Sequence, residues 1–320
     1  MAADEPDSTL AESGEFAVIE RLVGGRRQPP SVVVGPGDDA AVVAAPDARA
    51  VLCTDMLVQD RHFRLHWSTP YDVGRKAIAQ NAADVEAMGA RATAFVVGFA
   101  APAETSTAHA VEVADGMWHE ADLTDAGVVG GDMVRAPLWV ISVAAMGDLE
   151  GRAAVQRNGA RPGDTVAVCG ELGRSAAGYA LWANEIDSFP ELRRRHLVPE
   201  PPYGQGRIAA QHGATAMIDV SDGLVADLAH VAAASGVHID LAVDAFDADI
   251  DAVAGAAAAL GTDPRHWVLG GGEDHALVAT FPDSPPPGWR VVGRVLTADG
   301  PARVSVDDTD WDGAAGWQSY

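Results

Sequence analysis

Carboxylates set beside glycines or inside apolar runs are the residues here whose placement speaks most directly to chemistry. An unpaired carboxylate is costly to bury, so an acid in such a place needs a cation, a donor or open water. Asp38 and Asp39 follow a Gly-Pro-Gly turn in GPGDDAAVV, and Asp55 follows Thr54 inside VLCTDMLV, with His62 further on in QDRHF. In KAIAQNAADVEAMGA, a helical spacing of about 100° per residue puts Asn81, Asp84 and Met88 on one face. Asp132 closes VVGGD, where Gly130 and Gly131 allow close backbone approach by a ligand. In AMIDVSDGLVADLAH, Asp219 stands between Ile218 and Val220, Ser221 is placed to cap a helix, and Asp222 and Gly223 open it. Open amides at a helix start suit a phosphate, and the flanking carboxylates suit a hard divalent cation. VLGGGEDHALV adds a glycine run followed by Glu273 and Asp274. Each signal has a plain alternative: a hairpin turn, a structural cap, a solvated acid. Taken together, oxygen donors without a Cys/His cluster indicate several Mg²⁺ ions rather than Zn²⁺, and Mg²⁺ beside Gly-rich turns indicates ATP.

The elements that must hold these residues alternate between strand and helix. Residues 14–23 read as a short amphipathic helix, and residues 32–34, 40–45 and 50–56 as strands parted by turns. Residues 71–89 are helical, with Ile78, Ala82 and Val85 on one stripe. ATAFVVGFA is a strand, residues 105–124 a helix, VVGGD leads into a turn, and PLWVISVAAMG closes this half as a strand. Beyond a boundary at Gly147–Gly151, TVAVCG, AMIDV, VHIDLAV, HALVATF and WRVVGRVL read as strands. GRSAAGYALWANE, GRIAAQHG, LVADLAHVAAAS and an Ala-rich stretch near 250–260 read as helices, and EPPYG and DSPPPG as loops. Both halves are mixed α/β units.

Composition sets the outer limits. A chain of 320 residues exceeds one usual hydrophobic core, so two domains are expected, and 48% hydrophobic residues fit a globular protein. Lys+Arg number 22 against 46 Asp+Glu, a formal net charge of −24, which argues against nucleic acid and against an anionic membrane surface. A small anionic substrate remains compatible only where bound cations reverse the local field. The acidic start MAADEPDSTL does not read as a signal peptide, and no apolar run is long enough to span a bilayer. The two cysteines, Cys53 and Cys169, lie in strand-like segments and suggest a reducing, cytoplasmic setting. The sole lysine, Lys76, sits in VGRKAIA, so a GxxxxGK[ST] phosphate loop is absent, as are the HRD and DFG kinase motifs.

GPGDDAAV, CTDMLVQDRHF, KAIAQNAADVEAMGA, GGDMVRAP, QRNGARPGD, GRSAAG, RHLVPEPP, IDVSDGLVADL and GGGEDHAL, in this order, resemble the thiamine-monophosphate kinase family. That family shares a superfamily with aminoimidazole ribonucleotide synthetase, formylglycinamidine ribonucleotide synthetase, selenophosphate synthetase and a hydrogenase-maturation protein. The likeness runs from Gly14 to the C-terminus. It implies a two-domain α/β (α+β) fold of the aminoimidazole ribonucleotide synthetase type. Residues 1–148 would form an ATP- and Mg²⁺-binding domain that makes a homodimer through its sheet, with a β-barrel across the interface. Residues 149–320 would form a C-terminal α/β domain, with ATP in the cleft between the two. By motif, Asp38, Thr54, Asp55, Asp84, Asp132, Asp219 and Asp222 would hold Mg²⁺. Gly131, Asp132, Arg157 and Ser221 would contact ATP, and His62, Glu273 and Trp317 would contact thiamine monophosphate; Trp311 is the rival to Trp317. Asp132, Asp219 and Arg157 would be central to the transfer.

The chain departs from the family pattern at Cys53, where Ser is usual, at Met133 and Val134, where Thr-Thr is usual, and at Gly270, where Ser is common. A thiol is too soft to replace a hydroxyl on Mg²⁺, so Cys53 could contribute only its carbonyl. The implied reaction is in-line transfer from ATP to thiamine monophosphate, giving thiamine diphosphate. A phosphate acceptor, with a second pKa of about 6, is already largely dianionic and needs no general base. A sister ATP-dependent synthetase and a non-enzymatic acidic cation-binding protein are the competing readings.

Overall fold

A computed structural model describes residues 8–13, 15–35, 41–313 and 316. Asp38 and Trp317 lie outside the described residues. The chain divides into two compact units, one of residues up to Ala82 with Ala92–Asp148, the other of Ala83–Arg91 with residues from Leu149 onward.

In the first unit the chain runs through α1 (Leu10–Ser13), α2 (Glu15–Val23), β1 (Val32–Val34), β2 (Val42–Val43), β3 (Val51–Val58), α3 (Pro70–Ala87), β4 (Arg91–Ala101), α4 (Thr107–Leu123), β5 (Gly127–Arg135) and β6 (Val140–Asp148). Its main sheet has four strands in the order β3-β6-β4-β5, with β3 antiparallel to β6 and β4 parallel to β5. The stripe expected on α3 is realised, since Ile78, Ala82 and Val85 are all fully buried. Helices α3 and α4 touch backbone to backbone: a Cβ on Gly74 would lie 2.0 Å from the Val113 carbonyl, and one on Gly116 2.0 Å from that of Tyr71. Beside this crossing, Arg75 Nε donates to Glu120 Oε2 at 2.7 Å, so the buried carboxylate has its counter-charge.

The turn expected at VVGGD is not there. Gly130, Gly131 and Asp132 lie inside β5, opposite Val96, Val97 and Gly98 of β4. A Cβ on Gly131 would lie 2.0 Å from the Val97 carbonyl, so glycine here serves close strand contact instead of a reversal.

The second unit adds β7 (Thr165–Cys169), α5 (Arg174–Ala183), α6 (Pro190–Leu197), α7 (Gln205–Gln211), β8 (Ala216–Asp219), α8 (Leu224–Ser235), β9 (Val237–Leu241), α9 (Asp247–Leu260), α10 (Pro264–Gly270), β10 (Leu277–Phe281), β11 (Arg290–Thr297), β12 (Arg303–Val306) and β13 (Thr309–Asp310). These strands form one seven-stranded sheet, β13-β12-β9-β11-β7-β10-β8. The pairings are antiparallel except that of β12 with β9. Side chains alternate across β7: Val166 and Val168 join one core, Ala167 and Cys169 the other. Both faces are covered, which is why these strands read as unbroken apolar runs. Among the described residues no helix is long and apolar enough to cross a membrane.

Candidate active site

The first unit presents its expected site residues on β3, on β5 and on the turn after β3. Along β3 exposure alternates: Leu52, Thr54 and Met56 face outward, while Cys53, Asp55 and Leu57 turn inward. Thr54 and Asp55 therefore direct their side chains to opposite faces. The Thr54 hydroxyl donates to the Val143 carbonyl at 2.9 Å. The Thr54 hydroxyl is thus turned away from Asp55. Asp55 is held by Asn81, which is fully buried on α3: its Oδ1 accepts the Asp55 N–H at 2.9 Å, and its Nδ2 donates to the Ala77 carbonyl at 2.9 Å.

His62 is oriented from two sides. Val58 N–H donates to its Nδ1 at 2.9 Å, which makes Nδ1 the acceptor and puts the neutral ring's proton on Nε2. Its carbonyl accepts from Lys76 Nζ at 3.0 Å, and Lys76 is itself buried. On β5, Asp132 is exposed and its Oδ1 accepts from Met133 N–H at 2.9 Å.

The second unit gathers its residues around two packed loops. Asp219 ends β8 with 3% exposure, and the chain then turns through Ser221, Asp222 and Gly223 into α8. Ser221 is not the cap that its type suggested. Helix α8 starts at Leu224, and Gly223 takes the capping position with φ of 134°, a conformation reserved for glycine. Asp227 closes the turn from inside the helix, its Oδ2 accepting from the amides of Asp222 at 3.1 Å and Gly223 at 3.0 Å. These two amides are thus already engaged rather than open to a phosphate.

The second loop, residues 270–275, lies against the first with no room for side chains. A Cβ on Gly223 would sit 2.6 Å from the Gly270 carbonyl, and one on Gly272 2.5 Å from that of Ser221. Glu273 N–H donates to the Ser221 carbonyl at 2.8 Å, and His275 N–H to that of Val220 at 2.9 Å. Glu273 and His275 both have positive φ, 64° and 53°. Between them the Asp274 carboxylate accepts from the amides of Gly173 at 2.6 Å and Ser175 at 2.8 Å, at the start of α5. Glu273 Oε2 lies 3.4 Å from His196 Nδ1, and His275 Nδ1 lies 3.0 Å from Asp219 Oδ2. Arg157 is exposed on a short turn, and Asp84 is half-buried near the end of α3.

Burial and neighbouring charges perturb the groups of this second set. Burial raises the Asp222 carboxyl, and the charge of Asp219 adds to it, against the partial relief of His230 and His275. Burial, then the charge of Asp219, pushes Asp227 up to about 7. Burial pulls the His275 imidazole down, yet its hydrogen bond to Asp219 and the charges of Asp219, Glu273 and Asp84 hold it above its ordinary value. Crowded carboxylates that raise one another's pKa are relieved by a bound cation. Among the described residues no three His, Cys, Asp or Glu side chains are close enough to cage a metal ion by themselves. Mg²⁺ does not require such a cage: it keeps several waters and binds through one or two carboxylates plus substrate phosphates. The hard-oxygen donor set fits it.

Comparison with known proteins decides the family. The AIR synthase related protein N-terminal domain matches residues 37–149 and its C-terminal domain residues 161–264. A thiamine-monophosphate kinase of Mycobacterium tuberculosis is 67% identical over 320 residues, covering 100% of this chain and 95% of that protein. The chain belongs to the thiamine-monophosphate kinase family. Another thiamine-monophosphate kinase, from Corynebacterium glutamicum, is 42% identical over 328 residues, with 98% of this chain and 97% of that protein covered. The structure of AaThiL complexed with AMPPCP and TMP aligns with a TM-score of 0.77 and 29% identity, covering 99% of this chain and 100% of that one. The two-domain AIR synthase related fold expected from the motifs is therefore the fold of this chain. In this chain Asn81 holds the main chain of Asp55, Asp227 holds that of Asp222 and Gly223, and His275 holds the Asp219 carboxylate; the motifs gave Asp227 and His275 no role and Asn81 only a shared face with Asp84. Asp227 had a signal, a second carboxylate one helical turn into an Asp-opened helix; His275, next to Glu273 and Asp274, had none.

Proposed function

We propose that this chain transfers the γ-phosphoryl group of ATP to the phosphate of thiamine monophosphate, giving thiamine diphosphate and ADP. The observation that carries this is 67% identity across the whole chain to a thiamine-monophosphate kinase. A related fold holding AMPPCP, an ATP analogue, together with TMP supports the same pair of substrates.

An oxygen of the acceptor phosphate forms the new bond to the γ-phosphorus as the bond to the β-phosphate oxygen breaks, and ADP departs with that electron pair. The acceptor is dianionic near neutrality, so no proton need be removed first. The obstacle is repulsion between two phosphates. Mg²⁺, when bound, would neutralise and orient the phosphate oxygens. Asp38, Asp55, Asp84, Asp132, Asp219 and Asp222 would hold it by their carboxylates, and Thr54 by its main-chain carbonyl. Asp38 falls outside the described residues, so its part rests on the motif alone. Gly131, Arg157 and Ser221 would contact ATP, and Arg157, exposed and without an ion pair among the described residues, supplies fixed positive charge. His62 would meet thiamine monophosphate as an Nε2–H donor and Glu273 as a carboxylate facing the cationic thiazolium. Trp317 keeps its expected substrate role on the motif alone.

The first unit would also form a homodimer through its sheet. Leu52, Met56, Val96 and Val134 on β3, β4 and β5 are 73%, 52%, 47% and 56% exposed, which is unusual for large apolar side chains on strands. Cys53 and Cys169, neither of them in a disulfide, favour the cytoplasm.

ADP release, measured with Mg²⁺ and ATP in the presence and absence of thiamine monophosphate, tests the reading. Release that requires both Mg²⁺ and thiamine monophosphate is expected. Near absence of ADP release with thiamine monophosphate would point to a sister synthetase, and binding of Mg²⁺ or Ca²⁺ without ATP to a cation-binding protein.

A further inference from the structure

Asp219 and His275 form a buried pair that controls how a carboxylate can meet a metal. Asp219 is 3% and His275 5% exposed, with Nδ1 3.0 Å from Oδ2. A buried carboxylate accepts, so the imidazole must donate from Nδ1. Among the described residues no donor meets the other oxygen, Oδ1. One oxygen of Asp219 is committed to protein and the other is left for a ligand.

The arrangement is held against backbone cost. His275 has φ of 53°, a left-handed conformation disfavoured for any residue with a Cβ. It is fixed there by its N–H bond to Val220, by that of Glu273 to Ser221, and by the Asp274 carboxylate on the Gly173 and Ser175 amides. This backbone turn carries the imidazole to Asp219, at the end of a strand and next to the loop bearing Asp222.

Carboxylates bind Ca²⁺ through one oxygen or both, within a loose shell of six to eight oxygens, whereas Mg²⁺ demands a tight octahedron that one oxygen per carboxylate satisfies. We infer that His275 is a positioning residue that restricts Asp219 to a single oxygen toward a bound cation, and so favours Mg²⁺ over Ca²⁺ there. This rests on the proposed role of Asp219 as a cation ligand.

The test is displacement of Mn²⁺, followed by electron paramagnetic resonance on the full chain without nucleotide. It reads the ratio of Ca²⁺ to Mg²⁺ concentrations needed for half-displacement. His275→Leu, which frees Oδ2 for two-oxygen binding, should shift the ratio toward Ca²⁺ by about tenfold, the effect of one charge-assisted contact. His275→Asn keeps a donor where Nδ1 stood and suits the left-handed backbone, so it should restore the ratio of the unsubstituted chain. An unchanged ratio in His275→Leu, or an equal shift in both variants, overturns the inference. Asp219→Asn tests the underlying role separately: Mn²⁺ affinity should fall, and retained affinity removes Asp219 from the ligands. Should His275→Leu fail to fold, ¹⁵N spectra of the unsubstituted chain decide, since a protonated Nδ1 on His275 supports the donor role and a bare one refutes it.

Discussion

Asn81, itself fully buried, accepts the main-chain N–H of Asp55 through its side-chain oxygen at 2.9 Å. A helix thereby fixes the backbone of the strand residue that carries a candidate ligand. Asn81→Ala would take this acceptor from a partly buried amide, and a lost hydrogen bond typically costs about 0.5–1.5 kcal/mol. Denaturant unfolding should show a loss of that size, and an unaltered midpoint would mean the contact is not formed in solution.

Thr54 provides a sharper distinction. Its hydroxyl faces away from Asp55 and is bonded to Val143. Thr54→Val should therefore leave the Mg²⁺ concentration for half-maximal ADP release within about threefold of the parent, since a neutral hydrogen bond on an exposed strand face is a small term. Asp55→Asn should raise it far more. Equal effects from the two would assign the Thr54 hydroxyl to the metal.

The Asp274 carboxyl is pushed up to about 7 by burial, against the opposing pull of the Ser175 and Gly173 amides. An unfolded Asp titrates near 3.9. Below about pH 4 the group is protonated in both states and its contribution to stability is complete. As the pH rises toward 7 the unfolded chain releases the proton first, so that contribution is progressively lost. Across this window the melting temperature should fall relative to that of Asp274→Asn. Parallel pH profiles for the two proteins would refute the shift.

Gly223 has no tolerable replacement if the two loops pack as described. Its φ of 134° and the 2.6 Å approach to the Gly270 carbonyl both exclude a Cβ. Gly223→Ala should cost at least about 2 kcal/mol, with loss of ADP release. Calorimetry would reveal it, whereas Gly300→Ala, in open space, is the matched control.

Leu52 tests the association. With 73% of its surface exposed on β3, it should contribute to the proposed homodimer without supporting the fold of one chain. Leu52→Glu should shift the mass seen by light scattering toward monomer, and a mass unaffected by the change would move the interface elsewhere.

How far the molecule was readable from its residues depends on the range of the forces involved. Helix α3 declared itself through Ile78, Ala82 and Val85, because a periodic apolar stripe is a local property that tertiary packing confirms. The strand of Gly131 and Asp132 did not, since two glycines favour a turn locally, and the reason they stay extended is the Val97 backbone of a neighbouring strand. Ser221 misled in the same way: its type favours a cap, but the glycine contact with residue 270 shifts the helix start to Leu224. Helix α6, PELRRRHL, was hidden by its arginines, and α10 by its brevity. The carboxylates of the site stood out because their surroundings were wrong for unpaired acids. Asn81, legible only as a neighbour of Asp84 on its helix face, and His275 acquire their meaning through the Asp55 main chain at 2.9 Å and the Asp219 carboxylate at 3.0 Å.

The burial of Lys76 under the His62 carbonyl has a practical consequence beyond the site. It is the sole lysine in the sequence, so every side-chain cation presented to solvent is a guanidinium or an imidazole. Amine-directed cross-linkers, acylating dyes and enzymatic lysine acetylation find no accessible side-chain target on the folded protein. Loss of native packing around α3 would create one, and uptake of an amine-reactive probe at Lys76 would then report unfolding of the first unit.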